Sequence, residues 1–227
     1  MLLSVRSVST SLAFAFLAIV AQASAVPAQN PGASDDLLNQ LRGGGHVIFM
    51  RHPETEKEGK DVDMENLDNC ATQRNLSEQG RTTSKTVGDA MRALKVPVGV
   101  VMTSQFCRAK EAAKLMGFAE TQASQDLNLC YRDATLIIPV AENDRRISQV
   151  RKILAEMPQS GTNTLLVSHR PNMEDAARTQ DPGGKGFGDV AEGEMVVFKA
   201  QGGEPGYRYI GRIPAKRWTE WANLASK

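Results

Sequence analysis

Three apolar stretches of the sequence each run into cationic or imidazole side chains. The stretches are residues 47–50, which lead to Arg51 and His52; residues 98–103, which lead to Ser104 and then Arg108; and residues 164–167, which lead to Ser168 and His169. Short continuous apolar runs of this kind are typical of strands that are buried on both faces of a sheet. Because ligand sites in such sheets lie at the carboxyl ends of parallel strands, we expect these polar residues to converge at one edge.

The converging side chains suit the binding and transfer of a phosphoryl group. The guanidinium groups of Arg51 and Arg108 can each hold two phosphate oxygens. Arg108 also falls in the first turn of a predicted helix, where backbone N–H groups favour an anion. An imidazole such as that of His52 or His169, with an ordinary pKa of about 6.5, is partly neutral near pH 7 and can attack phosphorus. Each residue alone could be an ordinary polar strand end, but together the four predict a phosphate pocket.

The elements that position these residues follow from the alternation of apolar runs and helical segments. One helix is predicted from a Ser77 cap to about Leu94, and another from an Asn143 cap to Met157. Such alternation is typical of βαβ units, which build a mostly parallel sheet with helices on both faces. Residues 195–198 and 207–213 flank a Gly- and Pro-rich segment and predict a hairpin. One α/β domain, over residues 35–227, is the expected organisation.

The composition limits the classes of partner. The chain has 227 residues, of which 41% are hydrophobic and 23% charged, and this suits one domain with a sizeable core. The formal net charge is +1 without a basic tract, and aromatic residues make up only 5%. A low aromatic content gives little surface for base stacking. We therefore predict no nucleic-acid partner.

The first 25 residues have the features of a cleavable secretion signal. Arg6 precedes an apolar run at residues 11–21, and Ala23-Ser24-Ala25 supplies the small residues of a cleavage site. The run is short for a membrane span, which needs roughly 20 residues, although an uncleaved anchor is the alternative. Residues 26–34 are predicted to be a disordered leader. The mature protein is expected to be periplasmic or secreted, without stable membrane insertion after cleavage.

The three cysteines take on a different meaning in an exported protein. Cys70, Cys107 and Cys130 are isolated from one another, which makes a zinc site a poor explanation. An oxidising compartment permits one disulfide and leaves one thiol. We prefer the pair Cys70–Cys107 because each cysteine precedes an arginine that is a candidate for a functional role, Arg74 and Arg108 respectively. Buried thiols are the alternative.

Residues 53–69 predict a long acidic loop over the end of the first strand. Seven acids in this stretch meet only two lysines: Glu54, Glu56, Glu58, Asp61, Asp63, Glu65 and Asp68 against Lys57 and Lys60. A long loop in a compact domain is often functional, so a lid over the substrate site is one interpretation. A solvated surface insertion is the other.

These residues resemble a known family, the histidine phosphatase superfamily, also called the phosphoglycerate mutase-like family. Arg51-His52-Pro53-Glu54-Thr55 is similar to its Arg-His-Gly-Glu-Thr signature. Further matching segments are Arg74–Arg81, similar to a helix start; Ser104–Ala113, similar to Ser-Pro-x-x-Arg-Ala-x-x-Thr-Ala; and Val167-Ser168-His169, similar to the segment of the second histidine. The resemblance covers roughly residues 44–213, and exported bacterial members with cysteines at positions like Cys70 and Cys107 look closest.

The resemblance implies a fold and a set of roles. The fold would be a three-layer αβα domain whose mostly parallel sheet contains one antiparallel strand and a C-terminal hairpin. His52 would be the nucleophile that becomes phosphohistidine. Arg51, Arg108 and His169 would hold the phosphoryl oxygens and stabilise the transition state. No metal and no organic cofactor is implied.

Two positions depart from the family pattern. Pro53 stands where the family has glycine, and proline has no N–H to donate. Arg170 stands where glycine usually follows the second histidine, and it could add a cation to the pocket or point to solvent.

The sequence offers several acids as the proton donor for the leaving group. In many family members an acid lies some twenty-odd residues beyond the second arginine, and here that region offers only Asp133. Its neighbour Arg132 would lower its pKa, which does not suit an acid. Glu192 and Glu194, just before the strand at 195–198, are preferred over Asp133. The alternative is that they are solvated turn residues.

The function expected from these residues is hydrolysis of a phosphate monoester by a metal-independent enzyme of the histidine acid phosphatase type. The substrate is predicted to be a small-molecule or cell-envelope phosphate ester. A non-catalytic phosphate-ligand binding protein of the same fold is the first alternative. A phosphomutase is the second, and it is disfavoured because sugar phosphates are mainly cytoplasmic.

Overall fold

The computed structural model describes residues 31–118, 121–132, 135–177, 190–201 and 205–226. The predicted signal peptide and residues 26–30 of the predicted leader lie outside the described residues. The helices are α1 Pro31–Arg42, α2 Glu78–Ala93, α3 Cys107–Leu115, α4 Val140–Ala155, α5 Arg170–Ala177 and α6 Ala215–Ala225. The strands are β1 His46–Arg51, β2 Val98–Ser104, β3 Thr121–Ser124, β4 Tyr131–Arg132, β5 Thr135–Leu136, β6 Asn163–Ser168, β7 Met195–Ala200 and β8 Tyr207–Ile213.

A six-stranded sheet with the order β3-β2-β6-β1-β7-β8 forms the middle layer. Strand β1 pairs in parallel with β6, which pairs in parallel with β2, and β2 pairs in parallel with β3. Strand β7 is antiparallel to both β1 and β8. The predicted mostly parallel α/β sheet, with one antiparallel strand and a hairpin near the C-terminus, is confirmed.

The central strands separate two apolar cores because successive side chains point to opposite faces of the sheet. In β1, Ile48 and Met50 pack with α1, α2, α3 and α6, whereas Val47 and Phe49 pack with α4 and α5. All four of these β1 side chains are fully buried. The continuous apolar run in the sequence therefore reflects a strand covered on both faces.

The helix starts show where local sequence rules hold. Helix α2 begins as predicted, with the Ser77 hydroxyl accepting the Gly80 N–H as an N-terminal cap. The predicted Asn143 cap is wrong, because α4 begins at Val140 directly after Pro139. Asn143 lies inside the helix, and its N–H donates to the Pro139 carbonyl at 3.0 Å. Glu142 in the first turn favours this earlier start, since an acid there interacts well with the helix dipole.

Helix α1 also begins earlier than predicted. It starts at Pro31, so residues 31–34 of the predicted disordered leader are helical. Proline suits the first position of a helix because its missing N–H would have no partner there.

The predicted disulfide Cys70–Cys107 is confirmed, with a Cα–Cα distance of 5.7 Å. It ties the end of the acidic loop to the first residue of α3, which is adjacent to Arg108. Cys130 is a buried free thiol. None of the helices in the described residues is both long and apolar enough to cross a membrane.

Removing the disulfide with the Cys70→Ser/Cys107→Ser double substitution should lower the free energy of unfolding by about 3–4 kcal/mol, because the cross-link no longer restricts the unfolded chain. This estimate uses the 37-residue separation of the two cysteines. Urea unfolding of the two forms measures the difference. Reductant should destabilise the wild type and leave the double variant unchanged; equal stability of the two forms would contradict the prediction.

Candidate active site

The ends of β1 and β6 bring the two predicted histidines together. Arg51 of β1 is in register with Ser168 of β6, and the His52 N–H donates to the Ser168 carbonyl at 2.9 Å. The His52 and His169 rings meet edge to face, with centroids 5.2 Å apart. Both imidazoles are almost fully buried. The predicted convergence at one edge of the sheet is therefore present for these residues.

The ring of His52 is oriented by the next residue in the chain. Its Nδ1 lies 2.9 Å from the carbonyl oxygen of Pro53. A carbonyl can only accept a hydrogen bond, so Nδ1 carries the proton and the lone pair is on Nε2. Proline supplies this carbonyl as well as glycine would. The missing N–H of Pro53 consequently does not affect the contact that orients the imidazole.

His169 is held from two sides, by the last residue of β2 and by the loop that follows it. Its Nε2 lies 2.9 Å from the hydroxyl oxygen of Ser104, and its ring packs edge to face on Phe106 at 4.9 Å between centroids. Its Nδ1 has no hydrogen-bond partner among the described residues. When the Ser104 hydroxyl donates to Nε2, Nδ1 carries the proton and is a donor for an incoming oxygen.

Arg108 is the most deeply buried cation of the site. Its side chain is 1% exposed, and its guanidinium carbon lies 4.4 Å from the centroid of the Phe106 ring. The Asp61 carboxylate accepts from Nη1 at 2.8 Å and from Nη2 at 3.3 Å. Burial lowers the pKa of Arg108, and Asp61 is the main group that opposes this shift.

Arg51 is held by the turn that precedes β7. Its Nη1 donates to the Val190 carbonyl at 2.6 Å, and its Nη2 lies 3.3 Å from Glu192 Oε1. The Gly193 N–H bridges the carbonyls of Arg51 and His52 at 3.1 and 3.2 Å. Gly193 has a φ of +80°, which glycine adopts without the steric cost of a side chain.

Both histidines of the site are neutral near pH 7. The pKa of His52 lies well below 6.5, chiefly because of burial and then because of the Arg108 charge. The pKa of His169 is lowered well below 6.5 by the same two causes in the same order. A neutral His52 has the lone pair that a nucleophile needs.

These side chains line a cavity of about 730 Å³ at the carboxyl edge of the sheet. Its lining comprises Arg51, His52, Gly59, Lys60, Asp61, Val62, Arg74, Arg108, Leu129, Tyr131, His169, Arg170 and Pro171. The four residues predicted from the strand ends are all present. Within the part of the chain that the structure describes, no cluster of three or more His, Cys, Asp or Glu side chains could hold a metal ion.

The sequence did not reveal several members of this lining. Arg74 stands inside a matched motif, but that motif predicted only a helix start; Lys60 and Tyr131 had no assigned role. Arg170 lines the cavity while its side chain stays 41% exposed and pairs with Glu174 at 3.4 Å. The excess of cations around the two imidazoles is the electrostatic setting that an anionic ligand requires.

The acidic loop borders the cavity, as the lid interpretation expects of its position. Residues 59–62 are part of the lining, and Asp61 is the one acid of the loop that contributes to it. The loop is fixed at its start, where the Glu54 carbonyl accepts the Ser77 N–H at 3.0 Å and the Ser77 hydroxyl donates to Glu54 Oε1 at 2.8 Å.

The candidate proton donors differ in their surroundings. Glu194 is engaged by Arg212, with contacts of 2.8 and 2.6 Å, and its Oε2 also accepts the Ala191 N–H at 2.8 Å. Glu192 pairs only at 3.3 Å with Arg51, and its side chain is 29% exposed. Neither glutamate is among the residues that line the cavity. Asp133 lies outside the described residues.

The three histidines also set how stability should depend on pH. Burial lowers the pKa of His46, His52 and His169, so the folded protein binds fewer protons than the unfolded chain below about pH 6.5. The free energy of unfolding should therefore fall with decreasing pH, by up to about 1.4 kcal/mol per pH unit for each histidine. Urea unfolding between about pH 7 and 5.5 avoids most carboxylate titration. A constant or rising stability over this window would contradict the prediction.

The chain matches solved structures by fold alone. No protein-family sequence model and no curated protein sequence matches it. The structure is similar to the protein histidine phosphatase SixA complexed with tungstate, with a TM-score of 0.50 and 15% identity over 76% of this chain and 98% of that one. It is also similar to a presumed alpha-ribazole-5'-P phosphatase from Escherichia coli K-12, with a TM-score of 0.52 and 16% identity over 73% of this chain and 94% of that one.

A third similar structure is that of open reading frame Rv3214 from Mycobacterium tuberculosis, with a TM-score of 0.50 and 16% identity over 67% of this chain and 90% of that one. At such identities the similarity concerns the path of the backbone. The chain therefore shares the α/β fold of these solved structures, and this is the fold expected from the sequence resemblance to the histidine phosphatase superfamily.

Proposed function

We propose that the protein is an exported phosphatase that hydrolyses a phosphate monoester through a phosphohistidine on His52. The observation that carries this proposal is the pairing of a neutral, Nδ1-protonated His52 with two guanidiniums and a second imidazole around one cavity. A nucleophile and cations placed together in this way match the needs of phosphoryl transfer.

The proposed reaction has two displacements. His52 Nε2 attacks phosphorus, the P–O bond to the alcohol breaks, and an acid protonates the leaving oxygen. Water then gives a proton back to that acid and attacks the phosphohistidine, the P–N bond breaks, and inorganic phosphate leaves with His52 and the acid restored. Arg51, Arg108 and the Nδ1–H of His169 stabilise the charge on the phosphoryl oxygens in both steps.

Glu192 is the better candidate for the proton donor among the described acids. Among the described residues its ion pair is with Arg51 at 3.3 Å, which leaves it less constrained than Glu194, whose two oxygens are both held by Arg212. Glu192 does not line the cavity itself, but it contacts Arg51, which does. Glu194 is better suited to fixing the start of β7.

Features outside the pocket support the rest of the proposal. Two similar structures carry the names of phosphatases. A disulfide is typical of proteins in oxidising compartments, and together with the signal-like N-terminus it supports export. The proposed substrate is a small-molecule or cell-envelope phosphate ester. The proposed reaction requires no metal and no organic cofactor. The proposal includes no nucleic-acid partner and no stable membrane insertion.

Turnover of p-nitrophenyl phosphate by the purified protein tests this function. We expect release of nitrophenol and inorganic phosphate, and the rate should be unchanged by a metal chelator. Absence of turnover across a panel of phosphomonoesters would contradict the proposal.

A phosphate-binding protein without catalysis is the second candidate, because both glutamates near β7 are in ion pairs and neither lines the cavity. It predicts saturable binding of inorganic phosphate without turnover and without an acid-labile phosphoprotein. The same purified protein distinguishes the two candidates.

A further inference from the structure

Asp61 of the acidic loop forms an ion pair with Arg108, whose guanidinium is proposed to bind the phosphoryl group. Asp61 contacts both terminal nitrogens of Arg108, at 2.8 and 3.3 Å. The two side chains are only 11% and 1% exposed. An ion pair so withdrawn from water differs from the solvated contacts of the other loop acids, such as Asp68, whose side chain is 96% exposed.

The backbone of Arg74 fixes both members of this ion pair. The Arg74 N–H donates to Asp61 Oδ1 at 3.0 Å, and the Arg74 carbonyl accepts from Arg108 Nη1 at 3.1 Å. Residue 74 lies between Cys70 and the Ser77 cap of α2, and the disulfide joins Cys70 to the residue before Arg108. The backbone of Arg74 and the neighbouring disulfide therefore hold the ion pair in place.

The hydrogen bonds divide the guanidinium of Arg108 into an occupied and an unoccupied edge. Asp61 and the Arg74 carbonyl use the Nη1 group, and Asp61 also takes one donor of Nη2. The buried Nε–H has no partner among the described residues. A guanidinium has five donors, and the edge formed by Nε and the second donor of Nη2 can hold two oxygens of a phosphoryl group.

We propose that Asp61 is a positioning residue, which holds one edge of Arg108 so that the Nε edge is presented to the phosphoryl oxygens. This inference rests on the proposed function, because it assigns Arg108 to the phosphoryl group. The opposite role would be a competitor that phosphate must displace. A competitor would need no backbone anchor and would cover the edge that phosphate uses, whereas Asp61 is anchored and leaves the Nε edge unoccupied.

The Asp61→Asn variant separates the two roles. We expect kcat/KM for p-nitrophenyl phosphate to fall by about 10- to 100-fold, by analogy with the loss when a residue that orients a metal ligand is removed. Inorganic phosphate should also bind more weakly. The Asp61→Glu variant, which keeps the charge, should show a smaller loss than Asp61→Asn. The matched control is Asp68→Asn, which removes the same charge from the same loop and should leave both quantities unchanged.

A double-mutant cycle with Arg108→Lys tests whether Asp61 acts through Arg108. Asp61→Asn should add little to the loss already caused by Arg108→Lys, because the two residues share one function. Full additivity, tighter phosphate binding, or unchanged or faster turnover in Asp61→Asn would each overturn the inference.

Two further measurements keep the test decisive. If the wild type hydrolyses no phosphomonoester, the proposed function fails, and calorimetry of inorganic phosphate binding still decides the role of Asp61. If Asp61→Asn does not fold, the charge-conserving Asp61→Glu carries the comparison: weaker phosphate binding supports the inference, and equal or tighter binding overturns it.

Discussion

Replacement of His52 by alanine should lower kcat for p-nitrophenyl phosphate by about 10⁴-fold or more, the scale of loss seen when a covalent nucleophile is removed. In the proposed reaction the imidazole makes the bond to phosphorus, and a water molecule cannot reproduce its fixed position and neutral lone pair. The Pro53 carbonyl and the burial that lowers the His52 pKa prepare that lone pair before the substrate arrives. Steady-state kinetics of the two proteins give the ratio.

His46 provides the matched control for His52. It is a histidine of similar burial, 2% exposed against 4%, but it lies at the opposite end of β1. The His46→Ala variant should lose stability and keep kcat per folded molecule close to that of the wild type. Retained turnover in His52→Ala, or an equal loss in both variants, would contradict the assignment of His52.

Replacement of Arg108 by lysine should lower kcat/KM by about 10²- to 10³-fold, the cost of losing one preorganised donor group in a charged transition state. Lysine keeps the positive charge but lacks the planar, two-edged donor geometry. Arg108 uses both edges in this site, one for Asp61 and Arg74 and one for the proposed phosphoryl contact. Measuring both kcat/KM and the thermal unfolding midpoint of the wild type and the variant distinguishes a loss of catalysis from a loss of stability.

Arg81→Lys is a suitable control for Arg108→Lys. Arg81 lies on α2, pairs with Glu111 at 2.7 Å and does not line the active-site cavity. A partly exposed ion pair of this kind contributes at most about 1 kcal/mol to stability, and its loss should leave kcat/KM unchanged. If Arg108→Lys were as active as Arg81→Lys, Arg108 would not be a phosphoryl ligand.

The centre of the fold and of the site could be predicted because it depends on local patterns. Strands β1, β2 and β6 are continuous apolar runs, and parallel strands place Arg51, His52 and His169 at a common edge. The disulfide pairing was preferred because each cysteine precedes a candidate arginine. The elements that were missed lack such patterns: β3 contains Thr121, Gln122 and Ser124, and α5 is short and carries a proline at its second position.

The contacts that decide individual roles could not be predicted from the sequence. Asp61 reaches Arg108 across 47 positions, and Arg212 reaches Glu194 across 18. The loop contains seven acids, and its sequence does not show which of them contacts Arg108. The structure shows that it is Asp61. Glu192 and Glu194 are also two residues apart and look alike until the structure gives each a different arginine.

Rapid acid-free quenching during turnover of a phosphate ester, followed by mass mapping of the phosphorylated residue, tests the central claim most directly. The account predicts a phosphate on His52 that is stable in base and lost in acid. It also predicts that the phosphoprotein appears within the first turnover and is absent in His52→Ala. Hydrolysis by the wild type with no phosphohistidine, or with a phosphate on another residue, would contradict the account.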